Sequence, residues 1–291
     1  MNIPPIWTKA YYENTDRDGG HHRFAAYGWS FESLDEARRC AVERAKRIYR
    51  YIVDDHAEDG SLSEYEYSLG PIREEIVQEL PGDDAPVAIV TRNRYGALVL
   101  NTAQVCFVDV DFPPPRTDGF FDALTMAFSP ARREARRDAL RQATIDRVTK
   151  WVQRNPERAF RLYRTPQGLR LLFTDRLYDP TSDETANLFE QLGADGLYVR
   201  LTKRQECFRA RVTAKPWRCG CKKPPNTFPW EDKTAEDAYR QWEREYTELN
   251  VRYRACELYQ TYGDVADIPS LRAIVRYHDQ TARIDTGAPL A

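Results

Sequence analysis

The sequence contains no apolar run near the roughly 18 residues that a membrane-spanning helix needs, and its mean hydropathy is −0.69. Its start, Met1-Asn2-Ile3-Pro4-Pro5, lacks the basic and then apolar pattern of a secretory signal. A membrane partner is therefore not expected, and the cytoplasm is the expected compartment. Cysteine is sparse, six in 291 residues, which excludes a disulfide scaffold and makes reduced thiols the expectation. Two paired Cys-x-x-Cys elements are missing, so Cys207, Cys219 and Cys221 are expected to be small core or loop residues, with zinc the lesser alternative. Histidine is scarcer still, with four residues. His278-Asp279 thus lacks the upstream histidines of a metal-dependent phosphohydrolase, and His21-His22 is expected in a solvated Asp/Gly-rich loop. No Gly-x-x-x-x-Gly-Lys-Ser/Thr loop is present, so any unwinding of nucleic acid would have to come from a separate helicase. Net charge is also nearly lacking: 43 Lys+Arg face 45 Asp+Glu, a balance of −2 that argues at first against a nucleic-acid partner.

That balance conceals a sorting along the chain. Residues 158 to 223 hold 14 Lys+Arg and 7 Asp+Glu, a net of +7, which leaves −9 for the remainder. Of the 43 basic residues 35 are arginine, whose planar fork can grip a phosphate at two points.

Three regions are expected: an acidic N-terminal α/β region over 1–82, a core over 83–223 and a helical region over 224–291. Ser33-Leu34-Asp35-Glu36 has the form of a capping box, followed by Leu34, Ala37, Ala41, Ala45, Ile48 and Ile52 at helical spacing. An acidic Gly/Ser-containing stretch from Glu58 to Leu69 leads to Pro71, where a short helix is expected to run to a boundary at Pro81-Gly82. Strands are expected at Val87–Thr91, Ala97–Leu100 and Val105–Phe112, with a turn at Asn93–Gly96 and a stop at Pro113-Pro114-Pro115. A long helix is expected from Pro130 to Gln153. Paired strands follow at Ala159–Thr165 and Leu169–Thr174, then a helix from Thr181-Ser182 to Leu192, stopped by Gly193. Extended pieces are expected at Leu197–Leu201 and Glu206–Thr213. Trp242, Tyr246, Leu249, Tyr253 and Cys256 mark a helix packing through an aromatic stripe, and Pro269–Thr281 a last short helix. The sum is an α+β fold, a sheet with helices on one face and mostly helical ends.

Asp109 and Asp111 lie two apart in an otherwise apolar strand and so share a face. Paired carboxylates of this kind are hard oxygen ligands suited to Mg²⁺ or Mn²⁺; two solvated acids before a proline turn are the plain alternative. Around Pro166-Gln167, the strand-turn-strand Tyr163–Arg170 places Gly168 where backbone approaches something closely, with Arg164, Thr165 and Arg170 alongside. An ordinary hairpin is the competing reading. Asp195 follows Gly193 and precedes Arg209, Arg211 and Lys215, of which the two arginines share one strand face. Carboxylates beside a basic strand are the arrangement of two-metal phosphoryl transfer. Trp217, Tyr198 and Phe208 interleave with these charges and could stack on bases or fill the core.

The order Asp-x-Asp, Gly-containing hairpin, acid and Arg-rich strand with a downstream Lys, over about residues 85 to 218, resembles the archaeo-eukaryotic primase (primase-polymerase) superfamily. The resemblance implies a recognition-motif-like palm, with Asp109, Asp111 and Asp195 as ligands of Mg²⁺ or Mn²⁺ and Thr165 to Arg170 in contact with the nucleotide. It also implies that Arg209, Arg211 and Lys215 contact the triphosphate or template. The expected activity is nucleotidyl transfer from nucleoside triphosphates onto the 3′ hydroxyl of a DNA or RNA strand. Arg170 stands where that family's second motif usually has His, which removes a proton donor and keeps the charge. Two other readings follow: a nucleic-acid-binding protein with a degenerate palm, and a metal-dependent nucleotide phosphoesterase.

Overall fold

The computed structural model describes residues 1–54, 70–114 and 129–291; the stretch from Glu58 to Leu69 and Pro115 lie outside them. Among the described residues the chain is α+β, with six α-helices and three sheets that are antiparallel throughout. No helix there is long and apolar enough to cross a membrane.

The chain begins with a hairpin in place of the expected loop. Strands β1 (Ile6–Thr15) and β2 (His21–Ser30) pair over ten residues, from Ile6 opposite Ser30 to Thr15 opposite His21. His22 therefore sits on a strand, bonded to Asp16 at 2.6 Å. Helix α1 (Leu34–Tyr49) lies across this hairpin through Ala37, Ala41 and Ala45, none of them exposed. The small residues allow backbone-to-backbone approach: a Cβ on Gly28 would lie 2.2 Å from both the Ala37 carbonyl oxygen and the Ala41 nitrogen. Half of the expected capping box forms. The Ser33 hydroxyl accepts the Glu36 amide at 3.2 Å, while the Glu36 carboxylate turns to Ser30 instead.

The second sheet has the order β3-β4-β5-β9, from β3 (Glu75–Leu80), β4 (Ala88–Arg92), β5 (Leu98–Thr102) and β9 (Phe208–Arg211). Residues Glu75–Leu80 form a strand paired to β4, not the expected helix, so Pro81-Gly82 lies in the connection between two paired strands. Asn93–Gly96 makes the expected turn, with Gly96 at φ +85°. Helix α5 (Lys233–Asn250) covers that turn so closely that a Cβ on Gly96 would meet the Trp242 ring at 1.9 Å. The aromatic stripe is real for Trp242 and Tyr246, but the helix stops at Asn250, before Tyr253 and Cys256.

The third sheet has the order β10-β7-β8-β6, from β6 (Phe107–Asp111), β7 (Phe160–Thr165), β8 (Gly168–Phe173) and β10 (Glu257–Tyr262). Strand β10 adds a strand to the mostly helical C-terminal region expected, and it completes this sheet beside β7. The alternation of side chains gives the sheet two covered faces. On one, Trp151 of α2 (Pro130–Arg154) meets Phe160 and Phe173 at ring distances of 6.1 and 6.0 Å. On the other, His278 of α6 (Pro269–Ala282) meets Phe107 and Tyr163 at 5.6 and 4.7 Å. Helices thus pack on both faces, not one. The core runs without a break from this sheet into the second, through Leu100, Phe107, Leu172, Phe208 and Ala210.

Helix α3 (Asp183–Leu192) begins at Ser182, whose hydroxyl accepts the Thr185 amide, and ends at Gly193 with φ +66°. Residues Gly196–Gln205 form helix α4, where a strand was expected over Leu197–Leu201. The reason is local: Asp195 is an N-cap, its carboxylate accepting the Tyr198 amide at 2.8 Å.

Candidate functional site

Asp109 and Asp111 project from the same face of β6, as their spacing requires. In the β6-β8 ladder Asp109 stands opposite Arg170 and Asp111 opposite Gly168. Arg170 grips Asp109 with both prongs, Nε to Oδ1 at 2.7 Å and Nη2 to Oδ2 at 3.0 Å, and its Nη1 donates to the Arg211 carbonyl at 2.8 Å. This guanidinium is 3% exposed, and Asp109 raises its pKa. Asp195 is brought to the pair by its backbone, its amide donating to the Asp109 carbonyl at 3.2 Å.

The three acids differ in what remains open. Both oxygens of Asp109 are held by Arg170, and one oxygen of Asp195 caps α4. Asp111 alone has both oxygens free among the described residues. Burial, Asp109 and Asp195 push its pKa above the usual carboxylate value, against the pull of Lys215 and Arg211. Among the described residues no group of three or more His, Cys, Asp or Glu side chains converges to hold a metal.

Beside Asp111 stands a group of cations. Arg211 closes β9, and Lys215 and Arg218 follow around the short 3₁₀ turn Pro216–Arg218. Burial, Arg170 and Arg218 push the Arg211 pKa down to about 10. Burial lowers those of Lys215 and Arg218 too, Arg211 and Arg218 adding to the effect on Lys215. Asp111 opposes the shift in both. Nη1 of Arg211 and Nη1 of Arg218 are buried with no hydrogen-bond partner among the described residues. Burying unpaired, like-charged groups together is costly unless something anionic arrives.

Comparison with protein-family models, with curated proteins and with solved structures gives no match.

The remaining expected site residues divide clearly. Gly168 does approach something closely, but the neighbour is β6 itself: a Cβ there would lie 2.2 Å from the Val110 carbonyl oxygen. Thr165 closes the turn, its hydroxyl donating to the Gly168 carbonyl at 3.1 Å. Arg164 pairs in register with Leu169, so it lies on the opposite face from Asp109 and Arg170 and does not join them. Arg209 is held by Glu74 at 2.5 Å and by Gln205 at 3.3 Å, which withdraws it from phosphate. Lys215 and Arg211 stay in the cluster. Arg218, absent from the expected set, joins them; its signal was the Lys215-Pro216-Trp217-Arg218 turn, which returns the chain to the same place three residues on.

A groove of about 420 Å³ opens at Asp111, lined also by Phe112, Arg137, Arg141, Pro166 and Gln167. The tip of the β7-β8 hairpin is thereby part of the site, anchored by the Phe112 amide to the Gln167 carbonyl at 2.8 Å. Of the three candidate stacking aromatics, Phe208 is core, and Tyr198 lies between the sheets with its hydroxyl donating to the Phe107 carbonyl at 2.8 Å. Trp217 is 44% exposed, with the Lys215 and Lys223 ammonium groups 5.5 and 5.8 Å from its ring. Cys207 packs with Ile3 and Ile72, while Cys219 and Cys221 pack near Trp242, so the three thiols do not meet at one site.

Proposed function

We propose that the cleft at the ends of β6 and β9 binds the triphosphate of a nucleotide on a primase-polymerase-like palm, next to a bound nucleic-acid strand. The observation that carries this reading is the trio Arg211, Lys215 and Arg218, partly to largely buried side by side, with Nη1 of Arg211 and Nη1 of Arg218 buried and without a hydrogen-bond partner among the described residues. Guanidinium and ammonium groups gathered beside Asp111 supply the charge-assisted donors that phosphate oxygens accept. Exposed Trp217, flanked by two lysines, offers a face on which a base can stack. The order of Asp-x-Asp strand, hairpin, acid and basic strand supports the palm.

Titrating the chain with ATP by calorimetry tests the reading. Binding is expected, and replacing Arg211 and Arg218 by Gln is expected to weaken it by about 100-fold, as loss of two charge-assisted contacts would. Wild-type affinity in that double variant would sink the proposal.

Nucleotidyl transfer is the second reading, favoured by the open Asp111 carboxylate beside Lys215. It predicts primer extension with Mn²⁺, labelled nucleotides and a primed template, abolished by Asp111→Asn. Binding without extension leaves the nucleotide-binding reading standing and removes this one.

A further inference from the structure

Cross-strand pairing puts Arg170 opposite Asp109, and the resulting contact is more than neutralisation of a surface acid. Two nitrogens of the guanidinium meet the two oxygens of the carboxylate at 2.7 and 3.0 Å, and a third bond of 2.8 Å ties the same group to the β9 backbone. Two-pronged pairing of this kind is among the strongest that side chains make. A divalent ion chelated by Asp109 through the lone pairs now given to Arg170 would have to displace both prongs. It would leave a cation that is 3% exposed without its counter-charge, and a stranded buried charge is strongly disfavoured. The usual reason for such an ion is also missing. Carboxylates alone would repel a triphosphate, but here Asp109, Asp111 and Asp195 face Arg170, Arg211, Lys215 and Arg218, three acids against four bases.

We propose that Arg170 is a built-in cation that takes the place of a divalent ion at Asp109, so that a nucleoside triphosphate binds this cleft without metal. The inference rests on the reading of the cleft as a triphosphate site and adds to it the ionic form of the ligand.

The test is a calorimetric titration of the full chain with ATP, once in EDTA and once in Mn²⁺. A Kd in EDTA within about threefold of that in Mn²⁺ is expected. Tightening by Mn²⁺ beyond that overturns the inference and leaves the triphosphate site intact. Absence of binding in both buffers overturns site and inference together. Arg170→His is expected to release Asp109 and to create a Mn²⁺ dependence of about tenfold or more. If this variant folds and its ATP binding stays indifferent to Mn²⁺, the role does not belong to Arg170. The wild-type titrations decide the question without it should it not fold.

Discussion

Asp109 and Asp111 are two residues apart and chemically identical, yet the fold uses them in opposite ways. Asp109 is the partner of a buried guanidinium, and its removal strands that charge; Asp109→Ala is expected to destabilise by about 3 kcal/mol or more in urea unfolding. Asp111 is pressed by two neighbouring acids, and Asp111→Asn is expected to stabilise by up to about 0.5 kcal/mol at neutral pH, the scale of a solvent-facing charge pair. The pH dependence follows from the raised pKa. In the folded chain Asp111 takes up its proton before it would in the unfolded chain, so the wild type gains stability as pH falls through that raised value. The advantage of Asp111→Asn should therefore be largest near pH 7 and vanish in acid. The shared face of the two acids was legible from their spacing, because strand periodicity is rigid. That Arg170 would close on Asp109 was not, since it depends on β8 pairing with β6 across sixty residues of sequence. The Arg209 partner was hidden for a similar reason: Glu74 comes from a segment 135 positions away.

Elements were legible where one physical signal dominated. Strand β6 is an apolar run, and α3 has a Ser cap at one end and a Gly stop at the other. The β1-β2 hairpin was hidden because its strands carry Lys9, Glu13, Asn14 and Arg23 among their aromatics and bury only part of one face. Strand β3 was hidden by Glu74-Glu75 after a proline, a helix-start pattern overruled by pairing with β4. Packing at α1 makes a sharp prediction. Gly28→Ala forces a Cβ against helix backbone and should cost about 1–3 kcal/mol, read as a lower Tm. Gly196→Ala, at the first residue of α4 with nothing within 4 Å, should be neutral or stabilising by up to about 1 kcal/mol. Helix α6 adds a titration. His278 is fully buried and bonded to Asp279 at 2.9 Å; burial holds its pKa below the ordinary 6.5. The unfolded chain therefore takes up this proton first, and stability is lost as pH falls below about 6.5. Comparing the pH slope of stability with that of His278→Gln, which cannot titrate, should show the wild type falling more steeply between pH 6.5 and 5.

At the scale of the whole molecule, charge is distributed by element and not by region. Helix α2 alone carries eight Arg or Lys against three acids. Toward its C-terminal end, Arg147, Lys150 and Arg154 line an open groove of about 720 Å³ with Trp151 and Gln191. Under the proposed function this flank meets the phosphates of the nucleic-acid strand. Replacing the three by Gln should flatten the dependence of oligonucleotide affinity on salt by about 0.7 log units per lost contact, measured by anisotropy with a single-stranded probe. The net charge of −2 bears on none of this, since it averages a basic helix and a basic cleft with acidic flanks.

Two side chains, Arg170 of β8 and Tyr198 of α4, tie one sheet to the other at the cleft. Arg170 reaches the Arg211 carbonyl, and the hydroxyl of Tyr198 lies between the Phe107 carbonyl and the Arg209 amide, the latter at 3.4 Å. The two sheets therefore cannot part like a jaw without breaking the bonds that shape the site. Selection among ligands must then come from charges already in position rather than from closure around the right one. Rapid-mixing traces of ATP binding should be single-exponential, with rates linear in ligand concentration and slowed by salt, and with no slow phase that saturates.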